Sequence, residues 1–325
     1  MDRSGAPEGR SMAKQMIEDL RPGEPVDSVF LVAESSLRTA RNGSSYLAVR
    51  LQDRSGQIEG RLWDASEAIA GSLQADDFVR VKGVAELYRN ELQINIKAIT
   101  RAEAESLRLR DFLRESERDT GEMLAELKKY LDAVTDPDLR ALLDAFFSDE
   151  EFVRGFRTAP AATSNHHAWL GGLLEHTLSM TRLALRLVEH YPRLRADLLL
   201  VGVFLHDIGK IRELSARRTF QYTVPGQLVG HIVLGALMLE EKARAIEGFP
   251  AEKLDVLRHL ILSHHGQPEY GAVRPPMLAE AVVLHHLDNI DAKVCGFYDF
   301  LEQDAGTDPN FTSRSLMFQT QLYKG

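Results

Sequence analysis

The chain has 325 residues and a formal net charge of -9 at pH 7, and 44% of its residues are hydrophobic. The length predicts two domains of roughly 100 to 200 residues each, and the negative charge argues against a protein that coats nucleic acid through bulk electrostatics, although not against a local groove. A single cysteine, Cys295, excludes an internal disulfide framework, and the lack of a signal-like N-terminus or a long apolar run predicts a soluble, cytoplasmic protein without a membrane partner.

Residues alternate between apolar and polar side chains from about residue 22 to 100, which predicts β-strands. Five strands are expected, with a helix before the fourth: strands at 28–35, 46–51, 58–63, 78–85 and 87–99, and the helix at 65–73. This order is typical of a small Greek-key barrel of the OB type. We therefore predict a flexible tail at 1–20 and an OB-like domain at 21–102.

The outward face of the second and third strands interleaves aromatic and basic side chains. Tyr46 and Arg50 lie on one strand, and Arg61 and Trp63 lie on its hairpin partner. Such a face is typical of a stacking surface for single-stranded nucleic acid. An exposed strand face with ordinary cross-strand pairs would give the same pattern, and the barrel has nearly equal numbers of basic and acidic residues. Both interpretations stay open on the strand pattern alone.

Beyond residue 101 the apolar period becomes helical, and only helices are expected. Residues 103–158 are interpreted as a helical linker, broken near Gly121, that leads into an all-α domain at 159–312, followed by a C-terminal tail at 313–325. Helices are expected at about 124–134, 137–147, 149–156, 168–190, 194–207, 227–246, 251–264 and 277–303. The predicted fold class is multidomain α+β, with an N-terminal five-stranded OB-like barrel followed by an all-α helical bundle.

Potential metal ligands are confined to the helical half, because all 11 histidines lie after residue 165. A lone histidine on an apolar helix face is more often a packed core residue than a ligand. Here, however, ligand-type side chains stand on several separate apolar helices or helix ends: His176, His206, Asp207, His231, His264, His265 and Asp288. Imidazole and carboxylate ligands without thiolate favour Mn, Fe, Zn, Co or Ni, or Mg at an oxygen-rich position. Seven candidate ligands are too many for one ion with open coordination positions, so the sequence predicts a site for two ions.

Asp207 follows the apolar run Leu198–Leu205, so its carboxylate is expected to be buried. A buried carboxylate needs a cationic partner or a metal, which makes Asp207 the expected bridge between the two ions. Ligand imidazoles also need acceptors for their second ring N–H, and Glu175, Asp291 and backbone carbonyls are candidates.

The ligand-type residues occur in the H…HD…D order of the HD-domain phosphohydrolases, in the longer form with extra histidines that holds two metals. Five blocks behind an OB-like module resemble the YhaM family of 3'-5' exoribonucleases, over about residues 21 to 313. The blocks are HHAWLGGLLEHT (166–177), HDIGK (206–210), LVGHI (228–232), LILSHHG (260–266) and LDNIDAK (287–293).

The resemblance implies a metal-dependent 3'-5' exonuclease that releases nucleoside monophosphates from single-stranded RNA, or also from single-stranded DNA. It implies one ion at His176, His206, Asp207 and Asp288, a second at Asp207, His231, His264 and His265, and manganese as the expected metal. Lys210 would face the scissile phosphate and act in catalysis with Asp207. The resemblance also favours nucleic-acid binding at the barrel face. His167 could contact the substrate phosphate, and a packing role for it is equally open.

Three other functions stay open. The same metals could serve a nucleotide or cyclic-dinucleotide phosphohydrolase, although the chain has Glu269-Tyr-Gly271 in place of a Gly-Tyr-Pro tripeptide. A mixed-valence di-iron oxygenase would share the ligands but would not require the barrel. A non-catalytic single-strand-binding adaptor could use the helical domain as a structural metal module, although such a module normally closes its coordination with four ligands. A homo-oligomer is compatible with every one of these functions.

Overall fold

The structure is a computed structural model that describes residues 14–40, 43–63, 71, 73–88, 91–103, 107–163, 167–215, 220–304, 306 and 308–325. The chain divides into two compact units, Met1–Arg114 and Glu115–Gly325. None of the helices in the described ranges is long and apolar enough to span a bilayer.

The first unit is a closed five-stranded barrel with the strand order β1-β2-β3-β5-β4. Its strands are β1 (Pro25–Thr39), β2 (Ser45–Asp53), β3 (Gly56–Trp63), β4 (Phe78–Tyr88) and β5 (Glu91–Arg101). All neighbouring pairs are antiparallel except β3 and β5. The predicted OB-type barrel is thereby confirmed, whereas the predicted helix at 65–73 falls almost wholly outside the described residues.

Strand alternation decides which side chains fill the barrel. Leu47, Val49 and Leu51 on β2 point into the core, as the alternating pattern predicts. The predicted start of the fifth strand at Leu87 is wrong, because Leu87 still belongs to β4 and pairs with Leu92 across the hairpin. Apolar residues at the end of β4 and near the start of β5 concealed the boundary between the two strands.

The second unit is built from helices. They are α1 (Thr120–Leu131), α2 (Pro137–Phe147), α3 (Glu150–Thr158), α4 (Gly172–His190), α5 (Ala196–Leu205), α6 (Lys210–Glu213), α7 (Val224–Val229), α8 (His231–Arg244), α9 (Ala251–Ser263) and α10 (Ala279–Gln303). The first three begin at aspartates that accept hydrogen bonds from backbone N–H groups of the first turn, namely Asp119, Asp136 and Asp149.

Two features of this unit differ from the predicted helices. The single helix expected at 227–246 is two helices, because Gly230 between them has φ +78° and so leaves the helical conformation. Two short hairpins also interrupt the all-α pattern: β6 (Leu214–Ser215) pairs with β7 (Gln221–Tyr222), and β8 (Phe311–Ser315) pairs with β9 (Thr320–Tyr323). Strands this short show no clear alternation in the sequence.

Helix α5 forms the centre of the helical core, because all residues from Leu198 to Leu205 are buried. Its Phe204 packs against four other phenylalanines, with ring centroids 5.1 to 6.0 Å away: Phe146, Phe147, Phe152 and Phe156. A helix buried on all sides is a rigid support for the residues at its end, which are His206 and Asp207.

We expect Phe204→Ala to lower the free energy of unfolding of the helical unit by about 3 to 5 kcal/mol, because it leaves a cavity in this aromatic cluster. Urea unfolding followed by circular dichroism measures the loss. Leu316→Ala is the matched control, since Leu316 is 91% exposed, and it should change the value by less than about 0.5 kcal/mol. Similar losses for both variants would contradict this description of the core.

Candidate metal centre

Asp207 lies at the end of α5 with only 2% of its surface exposed. Its Oδ2 atom is 3.3 Å from His206 Nε2 and accepts a hydrogen bond from Lys210 Nζ at 2.6 Å. Its Oδ1 atom is 3.5 Å from His231 Nε2 and 3.6 Å from His264 Nε2. The two oxygens of one carboxylate thus face two different sets of imidazoles, as a bridging ligand would.

Two groups of potential ligand atoms flank this carboxylate, and within each group the atoms lie within 4.8 Å of one another. One group is His176, His206 and Asp288, and the other is His231, His264 and His265. The first group also reaches Asp207, because His176 Nε2 lies 3.9 Å from Asp207 Oδ2. All seven ligands that the sequence predicts therefore meet in one place, from α4, α10 and the ends of α5, α8 and α9.

Each of the five imidazoles in these groups bonds to an acceptor through its Nδ1 atom. The acceptors are Asp291 Oδ2 for His176 at 2.7 Å, Val203 O for His206 at 2.7 Å, Glu213 Oε1 for His231 at 3.1 Å, Ile261 O for His264 at 2.7 Å and Tyr270 O for His265 at 2.7 Å. A carbonyl or carboxylate acceptor requires that Nδ1 carries the proton, so Nε2 is the nitrogen that each neutral ring offers to a metal.

The acceptors were only partly predictable. Asp291 does hold His176, but Glu175, the other expected carboxylate, instead accepts a hydrogen bond from Trp169 Nε1 at 2.8 Å. Glu213 was missed because the charged stretch in which it stands does not indicate burial, yet the structure leaves it only 7% exposed. Backbone carbonyls carry no sequence signal at all.

Glycine allows the start of α8 to approach the end of α5. A Cβ atom on Gly209 would lie 1.9 Å from the carbonyl oxygen of His231, so only glycine fits there. Glu213 Oε1 accepts a second hydrogen bond from the backbone N–H of His231, at 2.8 Å. The position of His231 is therefore fixed through both its backbone and its ring.

The donor set fits a metal better than it fits a closed hydrogen-bond network. Among the residues that the structure describes, the buried atoms Asp207 Oδ1, His231 Nε2 and His264 Nε2 have no hydrogen-bond partner. Buried polar atoms without a partner cost free energy, and these three point toward one another. A cation between them would satisfy all three.

The electrostatics keep Asp207 charged. Burial alone would raise the pKa of Asp207, but the positive charge of Lys210 and the ring of His206 hold that pKa well below its usual range. Burial likewise opposes the charge on Lys210, yet the neighbouring carboxylates raise its pKa. The pair stays ionised at neutral pH, which is the state that a metal-binding carboxylate needs.

The histidines differ from one another in charge. Burial would lower the pKa of His176, but the carboxylates Asp288 and Asp291 outweigh burial and raise it to about 9 in the metal-free protein. Burial lowers the pKa of His264 and His265, so these rings are neutral at pH 7 and ready to bind a metal.

The sequence left two roles equally open for His167, a contact with the substrate phosphate and packing, and the structure buries the residue with 3% of its surface exposed. Its Nε2 is 3.0 Å from Asp291 Oδ2, the atom that also holds His176, and Ser179 donates a hydrogen bond to the other oxygen of Asp291. Cys295 completes this group, but burial raises the pKa of its thiol to about 12, which makes it a poor ligand. The neighbouring His166 lies outside the described residues.

The barrel brings together three of the four residues that were predicted to form its stacking surface. The rings of Tyr46 and Trp63 have centroids 5.0 Å apart, and the Arg61 guanidinium lies 5.9 Å from the Tyr46 ring and 4.6 Å from that of Tyr88. Arg50 is separated from them by Ala48 and lies 3.9 Å from Glu34. The described surface is thus an aromatic cluster around Arg61, in which Trp63 is 42% exposed.

Comparison with known proteins gives two matching families and a set of relatives. The HD domain family matches residues 173–293, and the family described as an OB-fold nucleic acid binding domain matches residues 29–102. The 3'-5' exoribonuclease YhaM of Geobacillus sp. (strain WCH70) is 38% identical over 87% of this chain and 86% of its own length. The proteins of the same name from Bacillus pumilus and Bacillus subtilis are 39% and 38% identical over 84% of this chain and 86% of theirs.

The pKa of His176 predicts how the metal-free protein responds to pH. Because the folded-state pKa of about 9 lies above the ordinary 6.5, protonated His176 stabilises the fold fully below pH 6.5, and this stabilisation is lost as the pH rises through 9. We expect the free energy of unfolding in EDTA to fall by up to roughly 3 kcal/mol over this range. The His176→Gln variant should lack this slope in urea unfolding at pH 6.5, 7.5 and 9, and equal slopes would refute the assignment.

Proposed function

The chain belongs to the family of YhaM 3'-5' exoribonucleases, and we propose that it hydrolyses single-stranded RNA from the 3' end, one nucleoside monophosphate at a time. The observation that carries this proposal is the position of Asp207 between two groups of imidazoles. Membership of this family argues against the oxygenase and the non-catalytic adaptor as principal functions, and it supports a role for the metals in phosphodiester hydrolysis.

We assign the ligands to two divalent ions, with Asp207 shared between them. The first ion would be held by His176, His206, Asp207 and Asp288, and the second by Asp207, His231, His264 and His265. When bound, the ions supply Lewis-acid polarisation of the phosphate and lower the pKa of an attacking water. We propose manganese as the metal, and Fe, Co, Ni, Zn and Mg are the alternatives that imidazole and carboxylate ligands also allow and that metal analysis would distinguish.

Side chains and backbone groups of the chain hold the proposed ligands and Lys210 in place for the reaction. The Nδ1 acceptors of the five imidazoles fix the direction of every ligand nitrogen, so the site needs little rearrangement when a substrate arrives. Lys210 keeps its proton at neutral pH and lies beside Asp207, where its charge offsets that of a bound phosphate. Water attacks phosphorus, the bond to the oxygen of the penultimate nucleotide breaks, and that oxygen takes up a proton.

Besides the metal site, a nuclease of this kind needs a surface that binds the single strand, and we propose that the barrel provides it. Tyr46, Arg61 and Trp63 form the proposed stacking contact, and Arg50 contributes charge at the edge of the same face. Because the chain is acidic overall, this binding is expected to be modest and to weaken as salt rises. Single-stranded DNA could use the same surface, and an enzyme that processes RNA is expected in the cytoplasm.

The central test uses an RNA oligonucleotide with a 5' label. With Mn2+ the protein should shorten it from the 3' end through a ladder of products, and EDTA should abolish this activity. Asp207→Asn should reduce turnover by at least about a thousandfold, because both metal positions lose their shared carboxylate, while the variant still binds RNA.

Glu302→Gln is the matched control, because it removes an exposed carboxylate from the far end of α10, and it should keep full activity. Cleavage only within a circular RNA, without products from the 3' end, would refute the exonuclease. Unchanged turnover in Asp207→Asn would refute the metal assignment.

The barrel surface makes a separate prediction. Trp63→Ala should weaken binding to single-stranded RNA about tenfold, since stacking of a base on an aromatic ring contributes roughly 1 to 3 kcal/mol. Fluorescence anisotropy in EDTA measures this without cleavage. Leu87→Ala, which removes another exposed apolar side chain of the barrel, should leave the affinity unchanged. An equal loss in both variants would show that the aromatic cluster is not the binding surface.

A further inference from the structure

Among the residues that the structure describes, those of the candidate metal centre differ in exposure. The side chains of His176, His206 and His264 are at most 1% exposed, whereas those of Lys210 and His231 are 13% and 14% exposed. Asp288 and His265 are also partly exposed. A nucleotide must therefore approach from the side of these four partly exposed residues, and its base has to lie on the surface that surrounds them.

The segment that follows His265 forms part of this surface. It turns at Gly266, which has φ +79°, and continues into the 3-10 turn Pro268–Tyr270. Backbone hydrogen bonds hold the turn together: Tyr270 N–H donates to Gln267 O at 3.0 Å, and Ala272 N–H donates to the same oxygen at 3.1 Å. The segment is therefore a defined structure rather than a loose loop.

Tyr270 combines a fixed backbone with an exposed ring. Its carbonyl oxygen accepts the hydrogen bond from His265 Nδ1, which ties the residue directly to a proposed metal ligand. Its side chain, in contrast, leaves the residue 72% exposed. An aromatic ring that is exposed to water, on a residue bonded to a proposed metal ligand, has a large face available for a planar ligand.

We propose that Tyr270 stacks on the base of the 3'-terminal nucleotide and forms a nucleobase subsite beside the metals. This proposal rests on the proposed exonuclease function, and it adds the contact that holds the nucleotide about to be released. The surroundings suit a base better than a phosphate, because the adjacent Glu269 is acidic and the next exposed side chain, Val273, is apolar. Every base has a π-face, so the subsite accepts any terminal nucleotide.

The experiment compares two RNA oligonucleotides that differ only at the 3' end, one with a normal terminal nucleotide and one with an abasic terminal nucleotide. The rate of release of the first nucleotide is measured in Mn2+ with enzyme in excess, for the wild type and for Tyr270→Ala. The wild type should prefer the normal end about tenfold. In Tyr270→Ala the rate of release should fall about tenfold for the oligonucleotide with the normal end and should not change for the one with the abasic end.

Three further measurements exclude an indirect effect. Tyr270→Phe keeps the ring and should behave as the wild type. Tyr191→Ala removes another exposed tyrosine, at the opposite end of α4 from His176, and should change neither rate. The metal content of Tyr270→Ala should equal that of the wild type, because the backbone carbonyl that holds His265 is retained.

The outcomes separate this proposal from the one on which it rests. Equal losses by Tyr270→Ala on both oligonucleotides would overturn the subsite and assign Tyr270 to positioning of His265. An unchanged rate of Tyr270→Ala on both oligonucleotides would also overturn the subsite. If the wild type released nothing from the 3' end of either oligonucleotide, the exonuclease function itself would fall, and the subsite with it.

Discussion

The burial of one carboxylate constrains much of the helical unit. Asp207 stands at the end of a helix that is buried on every side, and removing its charge from water is unfavourable unless cationic groups or metals surround it. Imidazoles and an ammonium group from the surrounding segments lie close to both oxygens of this carboxylate. The apolar packing that buries Asp207 thus also brings the cationic groups into contact with it.

The candidate ligands could be proposed from sequence because each stands within a short motif on an apolar helix or at the end of one, and such motifs are recognisable without knowledge of the fold. Their supporting groups could not be, since Val203, Ile261 and Tyr270 act through backbone carbonyls that any residue could supply. Arg50 illustrates a similar limit in the barrel. Alternation correctly placed it on the outer face, but it could not reveal that Glu34 is its neighbour.

The barrel topology followed from the strand count and the period of two, and most helices followed from their apolar period. The break at Gly230 was concealed because helical periodicity continues on both sides of it. His167 shows a different limit: the sequence left phosphate contact and packing equally open for it, because only the tertiary fold brings Asp291 within hydrogen-bond distance of its ring.

The bond pattern of Glu213 links the metal site to the stability of a helix. Because α8 begins at His231, the first backbone N–H of that helix has no partner within the helix and is satisfied by a carboxylate from another segment, which also holds the imidazole. One side chain therefore acts as both a helix cap and a ligand support. A cation bound at His231 would restrain the ring, and through Glu213 it would also restrain the opening turn of α8. Local unfolding of this turn and loss of such a cation would then be coupled.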